Sequence, residues 1–226
     1  MDKTEKELIE QEELVDGKIT VGCGELAAMQ LLPDIIRSFS KKYPLVSYDL
    51  YTANADEVKE QMEKGLVDIG VLLEPVDIEK FDFIRLEKTE RWVVLMRPDD
   101  PLAEKESISA ADLCGQPIIL PRRLNIQSEL ASWFGDYFKN LHILFTSNLN
   151  TNGALMVRGG MGHSLVIEGA MPFWDQNEIT YRPLRPELLS SSVLAWKRGQ
   201  PFGLAAAKFI DHLKTSDVLH LGGLGE

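Results

Sequence analysis

Apolar residues recur along the chain in two alternating rhythms. In "KITVG", Ile19 and Val21 fall on one face of a strand, the period of two that a pleated backbone imposes. "LLPDIIRSFSKKYP" changes to a helical period: Leu32, Ile35, Ile36 and Phe39 form one stripe, Lys41 and Lys42 occupy the last turn, and Pro44 lies just beyond. "LVSYDLYT" is a second strand. "ADEVKEQMEKG" is a helix that opens on acids, which the positive end of a helix dipole favours, and stops at Gly65. "LVDIGVLLE" is nearly all apolar, as a strand buried on both faces must be. The order β-α-β-α-β predicts a parallel sheet with right-handed crossovers.

The rhythm then shifts. "FDFIRLEKTERWVVLMRPDDPLA" has two strand-like halves around Lys88–Glu90 and ends in a Pro/Asp cluster. A second alternation follows: a short helix "SAADLCG", strand "PIILP", and a helix from about Ile126 to Lys139 striped by Ile126, Leu130, Trp133, Phe134 and Phe138. Strand "HILFT", helix "TNGALMVRGG", strand "HSLVIEG" and a further strand "ITYRPL" come next. The chain closes on strand "SSVLAWKRG" and an amphipathic helix "PFGLAAAKFIDHLKT" with Phe202, Ala206, Phe209, Ile210 and Leu213 on one face. Two α/β lobes are expected, residues 17–97 with 193–226 and residues 98–192, the chain crossing out near Arg97 and back near Ser192. Ligands of open α/β sheets bind outside the carboxyl ends of the strands, so those ends are where a site is sought.

Composition narrows the partners. Of 226 residues, 35 are acidic and 24 basic, a formal net charge of -11, and such a surface repels phosphate backbones. The chain by itself is therefore not expected to bind nucleic acid. No apolar run approaches the roughly 20 residues that cross a bilayer. "MDKTEKELIEQEELVDG" lacks the basic and apolar regions of a signal peptide. A cytoplasmic location and no membrane partner are expected, and there Cys23 and Cys114, which form no metal pattern, stay reduced.

"TVGCGELA" satisfies the G-x-G-x-x-G/A fingerprint through Gly22, Gly24 and Ala27. A dinucleotide loop needs an unbroken helix from the second glycine, whereas Pro33 would kink it; it also needs an acid ending the next strand, whereas Asp49 is mid-strand. No cofactor is expected. Cys23 as a nucleophile needs a base, and of the four histidines only His163 is placed to serve; a small residue packed after the strand is the simpler reading. What remains is a ligand loop over Cys23, Gly24, Glu25 and Leu26, with backbone N–H groups at a helix start.

Other strand-end loops join it. Thr52, Ala53 and Asn54 end the second strand, as ligand contacts or as a helix cap. Pro121, Arg122 and Arg123 end the first strand of the second lobe, where one of the two arginines is expected to meet a carboxylate or phosphate. In the run from Ser147 to Asn152, Asn148 and Asn150 are candidate contacts and one polar residue is expected to cap the helix. His163 and Ser164 form a polar pair that opens a strand, either selecting ligand or bonded within the core.

"GKITVGCGELAAMQLLPDIIRSFSKKYP", "ADEVKEQMEKGLVDIGVL", "VLMRPDDPLAEKESISAADLCGQPII" and "LMVRGGMGHSLV", in that order and spacing, resemble the effector-binding domain of LysR-type transcriptional regulators, from about Gly17 to Thr215. The resemblance implies an α/β fold like type-II periplasmic binding proteins, two Rossmann-like lobes joined by two crossover strands. It implies a small polar or anionic effector in the cleft between lobes, and no enzyme activity. Residues 1–16 would then be the end of a linker helix, and DNA would be met only through a winged helix-turn-helix that this chain lacks. Homodimers, and tetramers of the full-length protein, are implied too, with the Leu32–Phe39 stripe either a contact face or, for the most part, plain core. Relatives often carry Ser or Thr where Gly24 and Leu26 stand, so this loop departs from the pattern and leaves backbone donors and Glu25. A transporter's solute-binding protein, built on the same fold, is the alternative.

Overall fold

The computed structural model describes residues 15–171 and 174–216. Most of the linker helix expected over residues 1–16, and the chain beyond 216, lie outside them. First come β1 (Asp16–Cys23), α1 (Leu32–Lys42), β2 (Leu45–Thr52), α2 (Ala55–Glu63), β3 (Ile69–Leu73) and β4 (Phe81–Arg85). Next follow β5 (Glu90–Met96), β6 (Pro117–Pro121), α3 (Leu124–Phe134), β7 (His142–Ser147), α4 (Asn150–Arg158), β8 (His163–Ile167), β9 (Thr180–Pro183) and β10 (Leu189–Ser190). Then come β11 (Ser192–Lys197) and α5 (Leu204–Thr215). The chain divides into two compact units. One takes the chain up to Gly24, Ala28–Lys88 and the residues from Ser192; the other takes Glu25–Ala27 and Thr89–Ser191.

In the first unit the strand order is β2-β1-β3-β11-β4. β1 runs parallel to β2 and β3, as the β-α-β-α-β rhythm predicts, but β11 is antiparallel to both β3 and β4. All five residues of β3 are buried, because the strand is central and covered on both faces. Leu32, Ile35 and Phe39 are buried too, and Phe39 meets Phe209 edge-on at 5.0 Å, so the α1 stripe is core rather than a free contact face. Gly22 shows what the apparent fingerprint is for. A Cβ there would stand 2.4 Å from a Val58 methyl, so the glycine lets α2 lie directly on β1.

In the second unit the order is β10-β5-β8-β6-β7, with β9 also on β5. β6 is parallel to β7 and β8, so Pro121, Ser147 and Ile167 end their strands at one end of the sheet. Its core gathers Val93, Leu95, Ile119, Ala154, Val157 and Val166.

Four expectations need correcting. Asp16, expected in the linker helix, is the first residue of β1. Glu90–Met96 pair with β8, β9 and β10, so residues 89–97 belong with the second unit and not with the first lobe. The Pro98–Pro101 cluster ends a strand of that sheet and does not mark the exit. The helix expected to reach Lys139 stops at Phe134, where Gly135 takes φ +54 and a 3-10 turn follows over Gly135–Asn140. Phe202 precedes α5 and is not on its stripe. No helix among the described residues is long and apolar enough to cross a membrane.

Candidate functional site

The polar residues at the strand ends are arranged by ordinary capping chemistry. Asn54 precedes α2 and its Oδ1 accepts from the Asp56 and Glu57 N–H groups at 3.0 and 3.1 Å, so this side chain is the helix cap. Thr52 is exposed, Ala53 is buried, and the Ala53 N–H donates to the Cys23 carbonyl at 3.0 Å. Cys23 is buried at the end of β1, and burial pushes its thiol pKa up. That is the opposite of what a thiolate nucleophile requires.

After half-buried Gly24 the chain leaves the first unit for three residues. The expected helix start is not there: Ala27–Leu31 is a 3-10 turn and α1 proper begins at Leu32 with Pro33 in its first turn. Nor is the Ala27 N–H free, since it donates to Glu90 Oε2 at 3.1 Å. Glu90 opens an otherwise apolar strand and is wholly buried. Leu26 is buried beside these groups in sequence, between Glu25 and Ala27.

Glu25 does the most for the second unit. Its Oε2 accepts from the Asn150 N–H at 2.6 Å and the Thr151 N–H at 3.3 Å, and Oε1 pairs with the Thr151 hydroxyl. The helix it meets, α4, has Leu149 at its N-cap, a residue with no acceptor to offer. None of the polar residues of "TSNLNTN" caps it; Ser147 Oγ instead donates to the Leu149 carbonyl at 2.5 Å. A carboxylate from 125 residues away supplies the cap, with its charge at the positive end of the helix.

Around this anchor stand the ends of β6, β7 and β8. The Pro121 carbonyl accepts from Gln127 Nε2 at 2.8 Å, and the Arg122 N–H donates to the Ser147 carbonyl at 2.8 Å. The Arg122 side chain is exposed, whereas Arg123 is buried at the N-cap position of α3. Asn148 is exposed and Asn150 half-buried. Past β8, Glu168 accepts from Arg91 through two bonds, 2.8 and 2.9 Å, and from the Tyr181 hydroxyl at 3.0 Å. The guanidinium holds the Glu168 carboxyl below its ordinary range. Gly169 touches the Glu25–Ala27 segment so closely that a Cβ would lie 2.0 Å from the Ala27 nitrogen.

His163 and Ser164 are elsewhere. They open β8 and pair with Ile118 and Ile119 near the start of β6, at the other end of the sheet from Ile167 and Pro121. Ser164 is buried beneath α4, where Gly153 approaches its hydroxyl, and His163 Nε2 lies 2.9 Å from Asp100 Oδ2. Within the second unit, then, Glu25, Leu26, Pro121, Arg122, Arg123, Asn148 and Asn150 share the strand-end side, and the His163–Ser164 pair does not. Glu90 and Gly169 were not among the expected site residues. Glu90 did leave a trace, as an acid opening the apolar run "ERWVVLM". Among the described residues no group of His, Cys, Asp and Glu could hold a metal ion.

Comparison with known proteins bears on what such an arrangement serves. A model of the LysR substrate binding domain matches residues 12–217. The uncharacterized HTH-type transcriptional regulator YvbU of Bacillus subtilis is 30% identical over 216 residues, covering 95% of this chain and 72% of that protein. The Hca operon transcriptional activator HcaR of Escherichia coli is 25% identical, covering 82% of this chain and 63% of its own length. Among solved structures, the effector binding domain of QuiR in complex with shikimate superposes with a TM-score of 0.75 at 15% identity, over 92% of this chain and 98% of that one.

Proposed function

This chain belongs to the family of LysR substrate-binding domains, and we propose that it is the sensing part of a transcriptional regulator whose effector is a small polar or anionic metabolite. The observation that carries the reading is the collection of polar and cationic side chains at the strand ends of the second unit: Arg122, Arg123, Asn148 and Asn150, around a helix start held by Glu25. A carboxylate such as shikimate, held by a protein of the same fold, has the chemistry these groups accept. Transcription is controlled through a DNA-reading region carried by the part of the regulator that this chain does not span, and the regulator works in the cytoplasm. The relatives are named as regulators, which favours this reading over a transporter's solute-binding protein of the same fold.

A thermal-shift screen of small metabolites tests it. The expected result is a set of related carboxylates or polyols that raise the melting temperature, by an amount that follows RT ln(1 + [L]/Kd). Arg123→Ala is expected to weaken such a ligand roughly tenfold or more through loss of a charge-assisted pair. A ligand whose effect is the same in Arg123→Ala and in Asn148→Ala as in the wild type would place the site elsewhere.

The chain also acts as a homodimer. Both sheets end in exposed strands: β2 presents Leu45 and Leu50, 58% and 55% exposed, and β7 presents Ile143 and Leu144. Open edges with apolar side chains invite pairing with another chain. Light scattering of the wild type is expected to give twice the monomer mass and Leu50→Lys the monomer mass; a monomeric wild type would remove the dimer from the proposal.

A further inference from the structure

Beside α4 the second unit holds a cavity of about 250 Å³ that none of Arg122, Arg123 and Asn148 lines. It arises because Thr151, Ala154, Leu155 and Arg158 recur at helical spacing on one side of α4 and face the turn from Trp174 to Ile179. Its floor is apolar. Ala154 and Ile179 are buried members of the core, and Trp174 packs against that same core while staying half-buried. Leu155 is 44% exposed, so an apolar side chain that the fold leaves uncovered stands at the opening. An engineered apolar cavity of about 150 Å³ takes up benzene, so this one has room for a substituted ring.

The rim carries charge of one sign in excess. Asp175 is exposed; its Oδ1 accepts from the Asn177 N–H and from Asn177 Nδ2, both at 2.9 Å, and no cation among the described residues pairs with it. Glu178 Oε2 accepts a single bond from Arg158 at 3.0 Å, and both side chains are half exposed, so water screens that pair. Two carboxylates therefore stand against one guanidinium, beside an indole. Carboxylates attract a cation, an indole attracts one through its quadrupole, and apolar walls favour the hydrocarbon that carries it.

We propose that this cavity binds a small aromatic ammonium compound, its ring against Leu155 and Trp174 and its charge between Asp175 and Glu178. The site is separate from the strand-end arginines and asparagines, which suit an anion. Thr151 closes one side of the cavity, and its hydroxyl pairs with Glu25 Oε1, so a bound amine stands against a residue that the α4 cap holds.

The test titrates the wild-type protein with benzylamine and follows the indole N–H resonance of Trp174, identified by its loss in Trp174→Phe. Benzyl alcohol keeps the ring without the charge, and benzoate reverses the charge. The expected result is a saturable shift with benzylamine, at least about tenfold tighter than with either comparison compound. Leu155→Arg puts a cation at the opening from an exposed position and should weaken benzylamine by about tenfold or more, with circular dichroism like the wild type. Asp175→Asn, which keeps an acceptor for the Asn177 N–H, should weaken it by about threefold. Arg123→Ala should leave the titration unchanged. No saturable shift at Trp174, equal affinity for benzyl alcohol, tighter binding of benzoate, or full affinity in both Leu155→Arg and Asp175→Asn would overturn the proposal. So would a loss in Arg123→Ala, which would place the amine at the strand ends. The effector reading is decided separately, by its own carboxylate screen.

Discussion

Replacing Gly169 by valine is expected to destabilise the protein by roughly 3 kcal/mol and to release the Glu25–Ala27 segment from its seat. A Cβ at residue 169 would stand 2.0 Å from the Ala27 nitrogen, 2.6 Å from its Cα and 2.7 Å from its Cβ. Two of those three atoms are backbone, so no rotamer change can make room. Either the segment lifts, or the turn after β8 moves and strains the Glu168 pairs with Arg91 and Tyr181 that hold it. Lifting the segment also takes the Ala27 N–H from the buried Glu90 carboxylate. Amide exchange at Ala27, together with the melting temperature, reads both effects. Wild-type stability with unchanged exchange at Ala27 would mean that the close approach is not a real constraint. Gly169→Ala is the milder version and should move both quantities in the same direction by less.

Much of the fold could be read from spacing alone, because burial imposes its own period. β3 reads as all apolar and is wholly buried, and the Leu32–Phe39 stripe reads as a helix face and packs on Phe209. The boundaries were harder wherever one residue decides them. Gly135 looks like any glycine in the sequence, yet its φ of +54 ends α3 at Phe134, short of the expected end at Lys139. Residues 89–97 read correctly as a strand, but no local pattern states which sheet a strand joins; that depends on β8 and β10, some 70 to 100 residues later.

The site was legible to the same extent. That the candidate residues stand at the ends of β1, β2, β6 and β7 is legible because strand ends follow from the elements themselves. Asn54 proved to be a cap, the simpler of its two readings. His163 likewise follows the simpler of its two readings, a buried ring bonded within the fold, here to Asp100, because a histidine that opens a strand stands opposite the residues that close it. Gly169 and Glu90 both meet Ala27, and a contact across 63 or more residues has no signature in either neighbourhood.

The apparent fingerprint "TVGCGELA" thus resolves into three structural jobs, and the last of them is the most open to experiment. Gly22 admits α2, Ala27 meets Glu90 and Gly169, and Glu25 caps α4. Glu25→Ala should cost about 2 kcal/mol, the upper end for an N-cap, because the acceptor is charged, serves two N–H groups and a hydroxyl, and has no substitute at Leu149. Glu25→Gln keeps an acceptor of the same shape and loses only the charge, so it should recover about half of that loss. The amides of Asn150 and Thr151 should exchange faster in Glu25→Ala, in step with the stability, while those of α3 change only with the global value. The two variants also separate cap from charge in ligand binding. While the carboxylate stays in place, α4 has no free first-turn N–H at Asn150 for an anionic effector, so such an effector has to displace it. Under the proposed function, Glu25→Ala is therefore expected to bind a carboxylate ligand more tightly than the wild type even as it melts earlier. Weaker binding in step with lower stability would show instead that Glu25 shapes the site and does not compete for it.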